Sequence, residues 1–513
     1  MKNGRHMLGL FGKKSDNPMA NIKSAQALLD EIPKNDALKA LQELTTWVES
    51  VREQEGFRLD HQLAVLRLID ETAHPFERKL MREYFAANTP PPFQENRLWI
   101  ALSVFFGQAA HAYFTVLTRY RNGDKGSSAI EPSLPLVAAR GIRAVTGKLK
   151  CAAARYVPVE ATIWGCLAEF YAHAEAQQYV DKQVALYSGS GASTSVCGEF
   201  AAVLMWYSSC ASTLNRLHLH LSERLASHLS KSFTVGVQGE PNSLFSFDLL
   251  NFAPPVRVNA KTTLQPSLRF LGVNNLQTQI EALLKLLEKN IVPEEIDLGG
   301  AYDAGTVRDA ARHLAECWAF PPPKRRSIRH NIKVNLSVAN GFSKIMEHTD
   351  AGLNFSNDTS VTWDVENIST GGLHCVLPAS NRDALSICSL IGIKPEKVDH
   401  WGVGIVRRMI RDQQNNLHVG VEVLANRMSS VGLREHSVGE EQPALWLGNP
   451  ADDSGEAMLL MGHDTFSGSR SLHVTVSGKS YLLMPLGLVE SGTDYDLARY
   501  RKVEEDTSPD GAY

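Results

Sequence analysis

Two short groups of residues in the last two fifths of the chain have side chains suited to binding a phosphorylated purine. Arg325 and Arg329 stand four residues apart, and Asn367, Ser369 and Gly372 follow them. A guanidinium binds a phosphate through two parallel charge-assisted hydrogen bonds. It also reaches O6 and N7 of guanine and stacks on a flat base. An arginine pair is therefore suited to an anionic ligand, including one that carries guanine bases, although this spacing alone does not identify the ligand.

The second group adds short polar side chains and a glycine. Asparagine and serine offer acceptors and donors at strand ends, where they also form turns. Glycine lets backbone approach a ligand because it has no Cβ. Pro321, Pro322 and Pro323 disfavour a helix just before the arginines, which predicts an extended segment leading into a strand.

The order RxxxR followed by (D/N)xSxxG resembles the signature of the PilZ family. The resemblance covers about residues 324–427 and implies a small antiparallel β-barrel that binds the bacterial second messenger cyclic di-GMP. The ligand-binding residues that it implies are Arg325, Arg329, Asn367, Ser369 and Gly372, with Lys324 and Arg326 as secondary candidates.

The chain departs from the family pattern at two points. Asn367 stands where the family most often has aspartate, so an amide replaces a carboxylate acceptor. The separation between Arg329 and Asn367 is also long, which predicts an extended loop after the first strand.

Length and composition are those of a multidomain globular protein. With 513 residues the chain exceeds one core, and its 43% hydrophobic and 21% charged residues are ordinary. The net charge of −4 predicts neither nucleic-acid binding nor attraction to an acidic membrane. Seven scattered cysteines without a CxxC pair favour reduced thiols in a cytoplasmic protein and predict no metal centre.

The first 320 residues read as helices. Ile280, Leu283, Leu284 and Leu287, for example, form a stripe at helical spacing. The predicted fold class is α+β multidomain, with an N-terminal all-α helical bundle followed by a C-terminal PilZ-like antiparallel β-barrel. The predicted segments are a flexible tail (1–18), a helical domain of unknown role (19–320), the barrel (324–427), a β-rich extension or small β-module (440–503) and a disordered tail (504–513).

Two regions of the N-terminal part leave alternatives open. Residues 233–258 are rich in turns and are either a β-excursion or a long loop. Residues 98–117 are apolar, uncharged and long enough to cross a bilayer. Gly107, Gln108 and His111 would then lie near its centre, so a buried core helix is the preferred interpretation, and membrane association is not expected.

In the C-terminal part, period-two alternation predicts strands. Residues 332–338 form one, and residues 403–410 and 417–423 flank a polar turn as a hairpin. In the second arm His418, Gly420 and Glu422 are expected to face outward. A link at 429–441 and further short strands follow, with a hairpin tip at 477–480.

Other patterns do not support an enzyme. His218 and His220 point to different sides of a helix, which argues against a metal site. Residues 188–193 are glycine-rich but lack the strand and lysine of a phosphate loop. The motif for synthesis of the messenger is absent, and the three letters of the degradation motif, 281–283, lie on an amphipathic helix.

The sequence thus favours a receptor of cyclic di-GMP that takes no cofactor. Ligand capture is expected to change the domain arrangement or the binding of an unidentified protein partner of the helical domain. The alternative is a PilZ-like scaffold that binds no ligand, and a weaker one is an enzyme within the helical domain.

Overall fold

The computed structural model divides the chain into two compact units. The first comprises Met1–Arg155, Val159–Ala211 and Arg216–Pro322, and the second comprises Tyr156–Pro158, Ser212–Asn215 and Pro323–Tyr513. The structure describes residues 17–86, 90–189, 193–321, 328–350, 361–378, 385–435, 440–450, 452, 455–476 and 478–505.

The first unit is built mainly from helices. In chain order they are α1 (Ile22–Asp30), α2 (Ala37–Glu53), α3 (Leu59–Tyr84), α4 (Pro92–Arg121), α5 (Ser127–Ile130), α6 (Leu134–Ala153), α7 (Ala161–Ala176), α8 (Val196–Cys210) and α9 (Arg216–His228). Pro92 occupies the first turn of α4, where a missing N–H costs nothing. Residues 196–228 form two helices, α8 and α9, in agreement with the helical pattern of this part of the sequence.

The expectation that this unit is all-α needs one correction. Strands β1 (Phe233–Gly236), β2 (Ser243–Asp248), β3 (Val256–Arg257) and β4 (Leu268–Val273) form an antiparallel sheet in the order β1-β4-β2-β3. The turn-rich region is therefore a β-excursion. Helices α10 (Leu276–Glu288) and α11 (Ala304–Cys317) follow, and α10 buries Ile280, Leu283 and Leu287 as its stripe predicts.

Helix α4 is long and apolar enough to span a membrane by length and composition alone. Most of its apolar side chains are buried within the helical unit, among them Leu102, Phe105 and Phe106. It packs on α6, where Gly147 leaves room for the Phe106 ring: a Cβ at position 147 would lie 2.4 Å from Cδ1 of Phe106. Here α4 serves as a core helix.

The second unit contains two closed antiparallel barrels. The first is formed by β5 (His330–Asn340), β6 (Val361–Ser369), β7 (Gly372–Leu377), β8 (Leu390–Pro395), β9 (Gly402–Arg411) and β10 (Leu417–Ala425), in the order β10-β7-β6-β5-β8-β9. Trp363, Val365, Cys375 and Val419 belong to its buried core. The α+β fold class, with helices followed by antiparallel barrels, is thus confirmed.

Within the first barrel the sequence-based expectations hold in part. The hairpin of β9 and β10 is confirmed, and Leu417, Val419 and Val421 are buried as predicted. In β5, Val334 was expected inside but is 37% exposed, because a register shift between Asn331 and Val334 interrupts the alternation. The long separation after β5 begins with a helix, α12 (Phe342–Asp350), and residues 351–360 lie outside the described part.

The strands that follow the first barrel form a second closed barrel, which also shares a cluster of buried residues with the first. It comprises β11 (Met428–Arg434), β12 (Gln442–Leu447), β13 (Glu456–Gly462), β14 (Leu472–Val476), β15 (Lys479–Ser491) and β16 (Tyr495–Glu504), closed in the order β11-β12-β13-β16-β15-β14. It has its own buried core. The link predicted at 429–441 is wrong, since β11 begins the barrel there, ahead of the predicted boundary at residue 440.

Two further features concern the end of the chain. Val476 pairs with Lys479, which confirms the predicted hairpin tip. Strand β16 was not predicted, and it includes Glu504, which the sequence assigned to a disordered tail. Residues 506–513 of that tail, and residues 1–16 of the N-terminal tail, lie outside the described part.

The α4–α6 contact yields a stability prediction. Gly147→Ala places a methyl group against the Phe106 ring, and overpacking of this kind costs about 1–3 kcal/mol. The gain in helix propensity, ~1 kcal/mol, offsets only part of that cost. We expect a lower melting temperature, by a few degrees, in thermal unfolding followed by the helical circular dichroism signal.

Gly107→Ala on α4 is the matched control. A Cβ there would meet only the Lys148 side chain, at 3.8 Å, so this variant should melt at the same temperature or higher. Equal melting temperatures for the two variants would contradict the packing described for Gly147.

Candidate functional site

The second motif forms the tip of the β6–β7 hairpin. Ser369 ends β6 and pairs with Gly372, which begins β7, so only Thr370 and Gly371 form the loop. The Ser369 hydroxyl donates a hydrogen bond to the Gly372 carbonyl at 3.3 Å. The motif residues are therefore brought together by one tight turn.

A β-bulge sets the direction of Asn367. Val365 pairs with Cys375 and Asn367 pairs with His374, so Glu366 is an extra residue on β6. Val365 is buried in the barrel, and strict alternation would send residue 367 inward as well. The extra residue re-aims Asn367, which is only half-buried and faces His374 on the outer surface.

The amide of Asn367 is already engaged on one side. Its Nδ2 lies 3.3 Å from Nδ1 of His374, and it can donate a hydrogen bond there when that nitrogen carries no proton. Its Oδ1 is then the end of the amide that can accept a further hydrogen bond. This assigns different roles to the two ends of the amide.

Gly372 has a structural explanation within the barrel. A Cβ at this position would lie 3.0 Å from the carbonyl oxygen of Val421 on β10. The Val423 amide also donates to the Gly371 carbonyl, at 3.1 Å. The absence of a Cβ at Gly372 therefore allows the backbone of β10 to approach closely.

Arg329 lies at the same end of the barrel as the hairpin tip. It immediately precedes β5, whose first residue, His330, pairs with Ile368, so the next position outward along the ladder faces Ser369. The Arg329 side chain is exposed. The other basic candidates, Lys324, Arg325 and Arg326, lie outside the described residues.

The outer face next to Asn367 carries charged groups that the motif does not include. Gly420 of β10 pairs with His374 on one side and with Arg408 of β9 on the other. Burial lowers the pKa of His374, and the positive charges of Arg329 and Arg408 act in the same direction, whereas Glu366 opposes them. His374 is therefore neutral near pH 7, in a surrounding that favours anions.

Sequence reasoning placed His418 outward on β10 but assigned no role to it or to His374. The two rings stack, with centroids 5.5 Å apart and planes 17° from parallel. Alternation along β7 would have placed His374 outward too. Their proximity depends on the β7–β10 register, which the sequence does not state.

The interpretation against a metal site at His220 agrees with its contacts in the helical unit. One ring nitrogen lies 2.9 Å from Nζ of Lys150 and the other 2.9 Å from the Leu298 carbonyl oxygen. Burial lowers the pKa of His220 to about 3, with the charge of Lys150 acting in the same direction. Both nitrogens are thus used within the fold.

Comparison with known proteins concerns a different part of the chain. Residues 23–240, less than half of the chain, match the family model described as the N-terminal domain of the cyclic-di-GMP receptor FimW. No curated protein gives a significant match. The matched residues run from α1 past β1 and include none of the motif residues, so this similarity supports a role as a cyclic di-GMP receptor independently of the motif.

Proposed function

We propose that the chain is a cyclic di-GMP receptor that captures the ligand on the outer face of its first barrel, as a PilZ-like domain. The observation that carries the proposal is the convergence of Arg329, Asn367 and Ser369 at one end of the barrel, by way of the β5–β6 ladder and the β6–β7 turn. Arg325 would complete the arginine pair.

The chemistry of this face suits a dianion with guanine bases. Arg329 can bind a phosphate or the O6 and N7 edge of guanine. The Oδ1 atom of Asn367 can accept a hydrogen bond from a guanine N–H. The Nδ2 group of Asn367 meanwhile donates to the neutral ring of His374. Arg408 adds positive charge on the same face, which favours an anion further.

In the proposed mechanism the protein binds cyclic di-GMP and neither synthesises nor degrades it. The arginine segment joins the two compact units along the chain, which divide between Pro322 and Pro323. Capture of the ligand by this segment would change the domain arrangement or the binding of a protein partner. A ligand shifts such an equilibrium only by its differential affinity for the two states.

The first prediction concerns the arginines. Arg325→Ala or Arg329→Ala should weaken cyclic di-GMP binding about tenfold or more, because a lost charge-assisted contact costs about 1.5–3 kcal/mol. Calorimetry on the full chain measures this. Arg499→Ala, which removes an exposed arginine of the second barrel, is the charge-matched control and should bind as the unmodified chain does. Unchanged affinity in both motif variants would refute the site.

The second prediction concerns Asn367→Asp. If Oδ1 is the ligand acceptor, a carboxylate there makes a stronger bond, and affinity should rise or stay unchanged if added desolvation cancels the gain. The measurement compares both proteins in the same salt. A clear loss of affinity would mean that the amide N–H groups, not Oδ1, are what the ligand or His374 requires.

The third prediction concerns the conformational response. Saturating cyclic di-GMP should change the small-angle X-ray scattering curve of the full chain, or its binding to a partner once one is found. Arg329→Ala at the same ligand concentration should give the curve of the ligand-free protein. Identical curves with and without bound ligand would restrict the mechanism to partner binding.

A further inference from the structure

A cluster of metal-ligating side chains lies beside the proposed ligand site. Glu366, His374 and His418 come from β6, β7 and β10, three adjacent strands of the first barrel, and their ligand atoms all lie within 4.8 Å of one another. The bulge that turns Asn367 outward also brings Glu366 to His374. The cluster is therefore a product of strand register.

We propose that Glu366, His374 and His418 bind Zn²⁺, or a similar borderline divalent cation, and leave a coordination position open to a phosphate oxygen. Two imidazoles and one carboxylate form a donor set that Zn²⁺ takes in sites with an open fourth position. The metal site does not depend on the proposed function. The phosphate ligand at its open position does, because that phosphate would come from cyclic di-GMP.

The separation of two of the three ligand atoms fits this donor set. Oε2 of Glu366 lies 3.3 Å from Nδ1 of His374. Two ligands in a tetrahedral site with bonds of about 2.0–2.1 Å are roughly 3.3–3.4 Å apart. Glu366 is about half exposed, at 54% of its side chain, so it can rotate toward a cation without disturbing the core.

His418 has the outer partner typical of a metal-binding histidine. Its Nε2 lies 3.2 Å from Oδ2 of Asp412. Asp412 is itself held by the backbone N–H and the Nδ2 of Asn416, at 2.8 and 3.0 Å. A proton on Nε2 that is donated to Asp412 leaves the lone pair of His418 on Nδ1, available to a metal.

His374 carries a conflict that a cation would resolve. Its Nδ1 lies 3.3 Å from the Glu366 carboxylate and 3.3 Å from Nδ2 of Asn367. One ring nitrogen cannot donate to the carboxylate and accept from the amide at once. If Nδ1 accepts from the amide, it carries no proton and faces a carboxylate with nothing to donate to it. A metal ion between Nδ1 of His374 and the Glu366 carboxylate would be bound by both groups.

The surrounding arginines predict coupling between the metal and the messenger. Arg408 pairs with Gly420, which pairs with His374, and Arg329 directly precedes the strand that pairs with Ile368, so both positive charges oppose a bare dication here. An anion in the open position offsets that repulsion. Zn²⁺ should therefore tighten binding of cyclic di-GMP, and by linkage cyclic di-GMP should tighten binding of Zn²⁺ by the same factor.

The test is a Zn²⁺ titration of the full chain after treatment with EDTA and removal of the chelator. His374→Ala and His418→Ala should each lose one equivalent of tight Zn²⁺ binding, or weaken it at least tenfold. His400→Ala, an exposed histidine outside the cluster, is the control and should keep it. Co²⁺ as a probe should give the visible absorption of a low-coordinate site in the unmodified chain and not in the two variants. Zn²⁺ binding that is equal in all four proteins would overturn the site.

A second arm separates the metal site from the proposed function. Cyclic di-GMP is titrated into the full chain with EDTA and then with one equivalent of Zn²⁺, and we expect severalfold tighter binding with the metal. Equal affinity overturns the coupling. Tight Zn²⁺ binding without any cyclic di-GMP binding refutes the proposed function and leaves the metal site standing, and the reverse result refutes the metal site alone. Asp412→Asn should weaken Zn²⁺ about tenfold or more with Co²⁺ absorption retained, as expected of a positioning residue.

Discussion

The closed hydrogen-bond ladder of the first barrel is the constraint on which the candidate site depends. Closure means that each strand has a partner on both sides, so side chains alternate between the core and the outer face without a free edge to adjust. The bulge at Glu366 breaks this alternation next to the motif. Because of it, Asn367 and Glu366 can both serve the surface while Val365 remains in the core.

The outer face thereby combines groups that would not be stable together in the core. His374 is partly buried and neutral, and it lies between an amide, a carboxylate and a second imidazole. Arg329 and Arg408 add positive charge that the single carboxylate of Glu366 offsets only in part. The excess positive charge favours an anionic ligand and makes a bare dication on this face unfavourable unless an anion accompanies it.

How much the sequence could predict follows from the range of the interactions involved. The β9–β10 hairpin was predictable, because alternation and a polar turn are local signals. The motif turn was likewise local, since Ser369 and Gly372 pair across two residues. The contact of His374 with His418 was not, because it depends on register between β7 and β10 over more than forty residues of chain.

Other features escaped prediction for related reasons. Strand β16 lies in a sequence with many charged residues, and its burial of Tyr495 and Tyr500 appears only once the second barrel closes. The sheet of the first unit consists of short strands between glycines and prolines, which read equally well as turns. The bulge has no local signature at Glu366, so an uninterrupted strand pattern would have placed Asn367 inside.

The most direct measurement of the central claim is calorimetric titration of the unmodified full chain with cyclic di-GMP in the presence of EDTA, beside the same titration with cyclic di-AMP. The proposed site predicts saturable binding of cyclic di-GMP and much weaker binding of the adenine analogue, because arginines placed as proposed would bind the O6 and N7 acceptors of guanine. Absence of saturable heat with cyclic di-GMP, or equal affinity for the two dinucleotides, would contradict it.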